Sequence, residues 1–293
     1  MKFVYHHRIA SNDGQVVHVD ELTWALRVGG VDLTIVGPGG TGAAGFGQQN
    51  RMVARIKRLL PQAAYEMLEL GYSAVAFLKL RAAVRSHRPD CLYERYNLFS
   101  PAGAWIRKRY GIPLILEVNA PLFEERSRYG GIALRRLAHW SQRYVWRNAD
   151  KVLPVTQVLA DIVRESGVPP GKICVIPNGI DIEHYASVRD SAQAKRDLGF
   201  DDCEVLGFTG FMRDWHGLER VIDLVASESS GRGVALRVGD GPARPGLLAN
   251  ATARGVRERV RITGVVDHKD VARHIAAFDV ALQPKVVDYA SPM

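Results

Sequence analysis

Short apolar runs alternate with longer stretches of helical spacing along almost the whole chain. Lys2–His7 is a first strand-like run, the polar turn Asn12-Asp13-Gly14 follows, and Val16–Val28 repeats its apolar residues at helical spacing. Val31–Val36 is a second run, followed by a glycine-rich loop at Gly37–Gly47 and helical stretches over Arg51–Leu60 and Gln62–His87. Cys91–Arg95, Leu114–Val118, Lys151–Val155 and Cys174–Ile176 read as further strands, with helices over Ala102–Tyr110, Leu134–Arg147 and Gln157–Ser166 between them. A period that switches between 2 and 3.6 in this order predicts βα units around a parallel sheet.

Residues 178–202 carry few apolar groups at strand spacing and contain the turn dipeptide Asn178-Gly179, so they read as an inter-domain connection. A second series then begins: Val205–Phe208, a helix over His216–Ala226, Ala235–Val238, a helix from Ala243 to Arg254, Val260–Ile262, a helix over His268–Ala277, and Val280–Gln283. The expected fold class is α/β, with two doubly wound domains at 1–177 and 203–293. Ligands are expected at the carboxyl ends of the strands.

Length agrees with that division, because 293 residues exceed what a single core usually organises. No apolar run reaches the roughly 18 residues that would span a bilayer, and Met1–His7 lacks a signal-peptide core. Cys91, Cys174 and Cys203 lie far apart without CxxC pairing, which gives neither a disulfide framework nor a zinc site and points to a reducing cytoplasm. The net charge of +8 is unevenly placed: residues 1–177 hold 24 basic against 14 acidic side chains, residues 178–293 hold 15 against 17. Much of the excess is Arg and Lys in helix-like segments, at 51–58, 81–88 and 107–109. Such a face can be merely solvated, or it can seek anionic lipid or nucleic acid. Nucleic acid is not the expected partner, since no binding motif or aromatic stacking platform accompanies the basic clusters.

Gly37-Pro38-Gly39-Gly40-Thr41-Gly42 matches GxGxxG formally, but it follows the second strand and opens no helix, so it reads as a loop rather than a dinucleotide site. Asp13-Gly14-Gln15 is better placed, between the first strand and first helix, where Gly14 can let a phosphate approach backbone N–H groups. Asn12 or Asp13 acting as a helix cap accounts for the same turn. His18 lies one turn into that helix, and Asn119 and Glu125 follow the strand Leu114–Val118. No clustered carboxylates suggest a metal site.

Cys174-Val175-Ile176-Pro177-Asn178-Gly179-Ile180-Asp181, Val238-Gly239-Asp240-Gly241-Pro242, Arg259–Gly264 and Asp279–Pro284 together resemble the family 4 retaining glycosyltransferases. The resemblance spans nearly the whole chain and implies the GT-B architecture, two Rossmann-like domains facing a cleft. It implies a nucleotide-diphosphate sugar as donor, held by Gly14, Gly210, Arg213, His216, Gly241, Gly264, Val265 and Val266. Arg213 and His216 stand near where the family carries an Arg and a Lys on the diphosphate, although Phe211 occupies the Arg position itself. Asn119 stands where many relatives carry a His, which implies a catalytic-site role together with Arg213 and His216; His18 and Glu125 fall on the acceptor side. No further cofactor is implied. The acceptor would be a carbohydrate or a lipid-linked sugar in polysaccharide or glycolipid synthesis, and the basic first domain would contact the inner face of an anionic membrane. Asp288–Met293 resembles the lead-in to the family's paired-Glu motif, which does not follow. The second domain is therefore expected to be incomplete, and the chain a truncated product of low stability and little activity. The alternative is a non-catalytic sugar-nucleotide-binding remnant.

Overall fold

The computed structural model describes residues 1–9, 14–38, 59–186 and 190–284. Asn12 and Asp13, the glycine-rich loop beyond residue 38, the helix expected at 51–60 up to residue 58, and the stretch 288–293 lie outside them. The chain forms two compact units that divide at Gly179, and each is described by itself.

The first unit is a five-stranded, all-parallel sheet in the order β2-β1-β3-β4-β5. Its strands are β1 (Lys2–His6), β2 (Asp32–Val36), β3 (Cys91–Arg95), β4 (Leu114–Val118) and β5 (Lys151–Pro154). They are joined by α1 (Gly14–Val28), α2 (Gln62–His87), α3 (Ala102–Tyr110), α4 (Leu122–Glu125) and α5 (Arg135–Asn148), with α6 (Gln157–Glu165) after β5. The expected strand Cys174–Ile176 does not form. Cys174 and Ile176 each donate one backbone N–H to β5, to Val152 O at 3.0 Å and Pro154 O at 3.1 Å.

Strand alternation sorts the sheet's side chains onto two faces. Val4, Leu92, Leu116 and Val152 pack with Leu80, Ile106 and Trp146 on the α2/α3/α5 side. Tyr5, Tyr93 and Leu153 pack with Val19 of α1 on the other. Both faces being covered explains why the strands are near-continuous apolar runs. At the carboxyl ends of β1, β3 and β4 the side chains turn polar: His6 and Glu94 on the first face, Arg95 and Glu117 on the second.

The second unit is a four-stranded parallel sheet, order β8-β7-β6-β9. It comprises β6 (Glu204–Thr209), β7 (Gly233–Val238), β8 (Val260–Ile262) and β9 (Val280–Ala281), with α9 (Glu219–Ser227), α10 (Arg244–Ala253) and α11 (His268–Ala276) as connections. In its own numbering the order is 3-2-1-4, the centre of a doubly wound sheet. The helix expected from His216 starts at Glu219, because Gly217 sits at φ 61° and ends a preceding 3₁₀ turn over Asp214–His216. Two short helices also belong to this unit, α7 (Ile182–Ala186) and α8 (Ser191–Leu198), within the stretch expected to be a connection. Asp190 caps α8 by accepting from Gln193 N–H (2.8 Å), and Lys195 Nζ reaches Asp279 Oδ1 at 2.7 Å, which anchors the helix beside β9. Val280 on the edge strand is exposed.

Candidate functional site

In each unit the strand order reverses beside the first strand, so a crevice is expected at the carboxyl ends of β1 and β3, and of β6 and β9. The polar residues collect at the first of these positions and in the loops that surround the second.

In the first unit Glu117, four per cent exposed, is the hub. Its Oε1 lies 2.8 Å from His18 Nε2 and 2.9 Å from Arg95 Nη1, and it also accepts from the Asn119 amide. Burial pushes the Glu117 carboxyl up, but the His18 hydrogen bond, the Arg95 charge and the Asn119 amide outweigh it and hold the group below its usual range. The same charge acts on its neighbours: burial first, then Glu117, drives the Tyr5 and Tyr93 hydroxyls well above their ordinary pKa. With an ionised carboxylate as acceptor, His18 donates through its Nε2–H. Asn119 Oδ1 has no hydrogen-bond partner among the described residues. The structure therefore brings together two residues singled out by sequence, His18 and Asn119, on a third that was not, Glu117. Gly14 is the first residue of the helix that carries His18. Glu125 ends α4, six residues beyond Asn119, and its neighbour Glu124 accepts from Gln142 Nε2 at 3.1 Å.

On the opposite face a second buried pair stands at the same level. His6 Nδ1 and Glu94 Oε1 are 2.6 Å apart. His7 follows on β1; burial, then the charges of His6 and Arg95, lower its pKa to about 4, so the imidazole is neutral near pH 7.

In the second unit three loops are laced together above β6, β7 and β8. Gly210 N–H donates to Val238 O (2.9 Å), Met212 N–H to Asp240 O (2.8 Å), and Gly239 N–H to Thr263 Oγ1 (3.2 Å). Gly239 also bridges Gly264. The approach is close enough to demand glycine: at Gly239, φ 133°, a Cβ would stand 2.2 Å from Gly210 O. The lacing gathers Gly210, Gly241 and Gly264, three of the residues expected to hold the donor, and Val265 and Val266 follow directly on the third loop. Arg213 and His216 project from the first loop. The Arg213 guanidinium lies over the rings of Phe211 (4.9 Å) and Trp215 (4.8 Å), which fixes its direction. His216 Nδ1 accepts from Arg213 N–H at 3.2 Å, so the neutral imidazole carries its hydrogen on Nε2. Phe211, at the family's Arg position, thus serves as part of the platform for Arg213. Among the described residues no group of three or more His, Cys, Asp or Glu is placed to hold a metal ion.

Two parallel α/β units of this topology, with glycine loops and basic groups above the strands of the second, define a protein of the GT-B class. Residues 12–184 match the family described as Glycosyltransferase Family 4, and the chain belongs to that family. It is 26% identical over 185 residues to the alpha-D-kanosaminyltransferase of Streptomyces kanamyceticus, covering 59% of this chain and 47% of that one. It is also 26% identical over 214 residues to a 2-deoxystreptamine N-acetyl-D-glucosaminyltransferase of Streptomyces fradiae, covering 68% and 50%. The chain spans about half the length of the curated relatives it matches. Among solved structures it resembles Anabaena Alr3699/HepE in complex with UDP-glucose, with a TM-score of 0.69 at 18% identity over 97% of this chain and 74% of that one. Sucrose-phosphate synthase from Thermosynechococcus elongatus gives 0.73 at 16% identity, over 97% and 75%. At such identities the likeness is one of fold.

Proposed function

We propose that the chain provides the donor and acceptor sites of a glycosyltransferase that moves a sugar from a nucleotide-diphosphate sugar to an acceptor hydroxyl with retention of anomeric configuration. The observation that carries this reading is the laced glycine loops of the second unit, which present Arg213 and His216 at the ends of the strands. In this reading residues 203–293 bind the donor, residues 1–177 bind the acceptor and residues 178–202 connect them. Gly210, Gly241, Gly264, Val265 and Val266 offer backbone to the nucleotide. Arg213 and the His216 Nε2–H steady the diphosphate as negative charge develops on departure. The departing phosphate takes the acceptor proton, so neither a protein nucleophile nor a resident cofactor is called for. Asn119, oriented by Glu117, and His18 position the acceptor hydroxyl, and Glu125 lies on the same side. The UDP-glucose bound by the Anabaena protein and the transferases among the relatives support a sugar-nucleotide donor.

The same reading places the protein in the cytoplasm, acting on a carbohydrate or lipid-linked acceptor of polysaccharide or glycolipid synthesis. The basic first unit would touch the inner face of an anionic membrane. No helix among the described residues is long and apolar enough to cross one. The test is turnover: the purified chain is incubated with UDP-, GDP- and ADP-sugars and sugar acceptors, and products are read by mass spectrometry and NMR. A glycoside that keeps the donor's anomeric configuration supports the proposal. An inverted product overturns retention, and donor binding without any product reduces the chain to a sugar-nucleotide binder.

A further inference from the structure

The helix α5 has the sequence RRLAHWSQRYVWRN, with four arginines and no acidic residue. Its inner face buries Ala138, Ser141, Gln142, Val145 and Trp146. The outer face is unusual for a solvated helix, which normally intersperses both signs of charge. Arg136, His139, Trp140, Arg143, Tyr144 and Arg147 line one shallow hollow there. Trp140 is 48% exposed, and its ring stacks on Tyr144 at 5.2 Å and 24°. Two of the arginines are already ordered: Arg143 Nε donates to Ser166 O at 3.1 Å and Arg147 Nε to Gly167 O at 3.2 Å. Pinning a long side chain before a partner arrives lowers the entropy lost on contact.

We propose that this face of α5 is the surface on which the chain docks to an anionic lipid bilayer. The proposal rests on the membrane contact read above and names the residues that make it. Guanidinium groups match lipid phosphates, and an indole beside a phenol suits the headgroup layer, where one end of each ring is apolar and the other wet. The opposite sign of the surface supplies the long-range attraction, which salt screens. A single-stranded nucleic acid fits less well: stacking of bases needs open ring faces along a basic groove, whereas here the two rings lie against each other on one helix. The first unit has a rival patch, where Phe77, Leu78 and Trp105 stand beside Lys108 and Arg109 between α2 and α3. It serves as the internal comparison.

The test is sedimentation of the full chain with phosphatidylglycerol vesicles and with phosphatidylcholine vesicles at low salt, alongside Trp emission. Arg136 and Trp140 are both exposed, so Arg136→Glu with Trp140→Ala should leave the thermal melt unchanged. The expected result is binding to the anionic vesicles alone, weakened about tenfold or more in R136E/W140A and little changed in K108E/R109E. The wild-type emission should shift to the blue on binding, and the shift should fall in the W140A background. An equal or larger loss in K108E/R109E would move the contact to the rival patch, leaving membrane binding intact but overturning this surface. No sedimentation of the wild type would overturn both readings. Salt-sensitive binding to nucleic acid without vesicle binding would give the face to a different partner.

Discussion

His18 Nε2 lies 2.8 Å from Glu117 Oε1, so that the first helix is tied to the end of the fourth strand across 99 residues of chain. The bond sits under α1 with Arg95 on the same oxygen, and removing the charge at its centre leaves the Arg95 guanidinium and the His18 N–H facing a neutral amide. Glu117→Gln should cost about 3 kcal/mol of stability in the first unit, because breaking a buried pair strands its partners. His18→Gln retains a hydrogen-bond donor and should cost less than half of that. Urea unfolding of both variants checks this; equal, small losses would mean the carboxylate is not the hub.

His7 gives a pH dependence with a definite sign. Its folded pKa, lowered to about 4 by burial and by the charges of His6 and Arg95, lies below the unfolded value near 6.5. The unfolded chain therefore takes up a proton first, and stability falls as pH drops from about 6.5 to about 4. The effect reaches at most about 3 kcal/mol at the lower end. The carboxylates with lowered pKa, Glu117 among them, act at more acidic pH, where their stabilisation is lost as pH falls through their folded values. His7→Gln should flatten the denaturation midpoint between pH 6.5 and 5 relative to the wild type. An unchanged slope would contradict the assignment.

Two glycines of the first unit should respond oppositely to alanine. At Gly103 a Cβ would stand 1.8 Å from Glu94 Oε2, and Glu94 cannot swing away without leaving His6. Gly103→Ala should destabilise by about 2 kcal/mol or more. Gly71 lies in the middle of α2, where an added methyl group would meet nothing within 4 Å, so Gly71→Ala should stabilise by about 0.5–1 kcal/mol. Thermal melts of the pair decide it.

Arg237 is one per cent exposed on β7, bonded by Nη1 to Leu206 O at 3.1 Å, while Nη2 has no partner among the described residues. Burial alone lowers its pKa to about 10. A buried cation without a carboxylate is costly, so Arg237→Met should match or exceed the wild-type melting temperature, whereas Arg237→Ala should lower it by leaving a cavity. If Met costs as much as Ala, the guanidinium has a role that packing does not describe.

Much of the fold was legible in the sequence because parallel strands buried on both faces leave uninterrupted apolar runs. Gln62–His87, Ala102–Tyr110, Cys91–Arg95 and Val260–Ile262 form with the expected bounds. Elements without a strong period were missed. Residues 191–198 show little apolar patterning and gain their place from Lys195 on Asp279 and from the Asp190 cap, both contacts of tertiary origin. In the site, His18 and Asn119 were visible as polar residues next to strand ends, but their shared partner was not. Glu117 sits inside an apolar run, and a lone carboxylate there gives no sign of which face it takes. The usable signal was the pairing of polar residues at the carboxyl ends of neighbouring strands, Arg95 beside Glu117, and it emerges only once the register is known. Phe211 likewise looked like a lost cation in sequence; the ring beneath Arg213 shows how the charge is carried two residues later.

The central claim is that the second unit holds a nucleoside diphosphate through Arg213. Calorimetric titration of UDP, GDP and ADP into the wild-type chain and into Arg213→Ala tests it most directly. The account predicts that one of the three binds the wild type and that the variant binds it about tenfold or more weaker, the size of a lost charge-assisted contact. No binding by any of the three, or equal affinity in the variant, would contradict it.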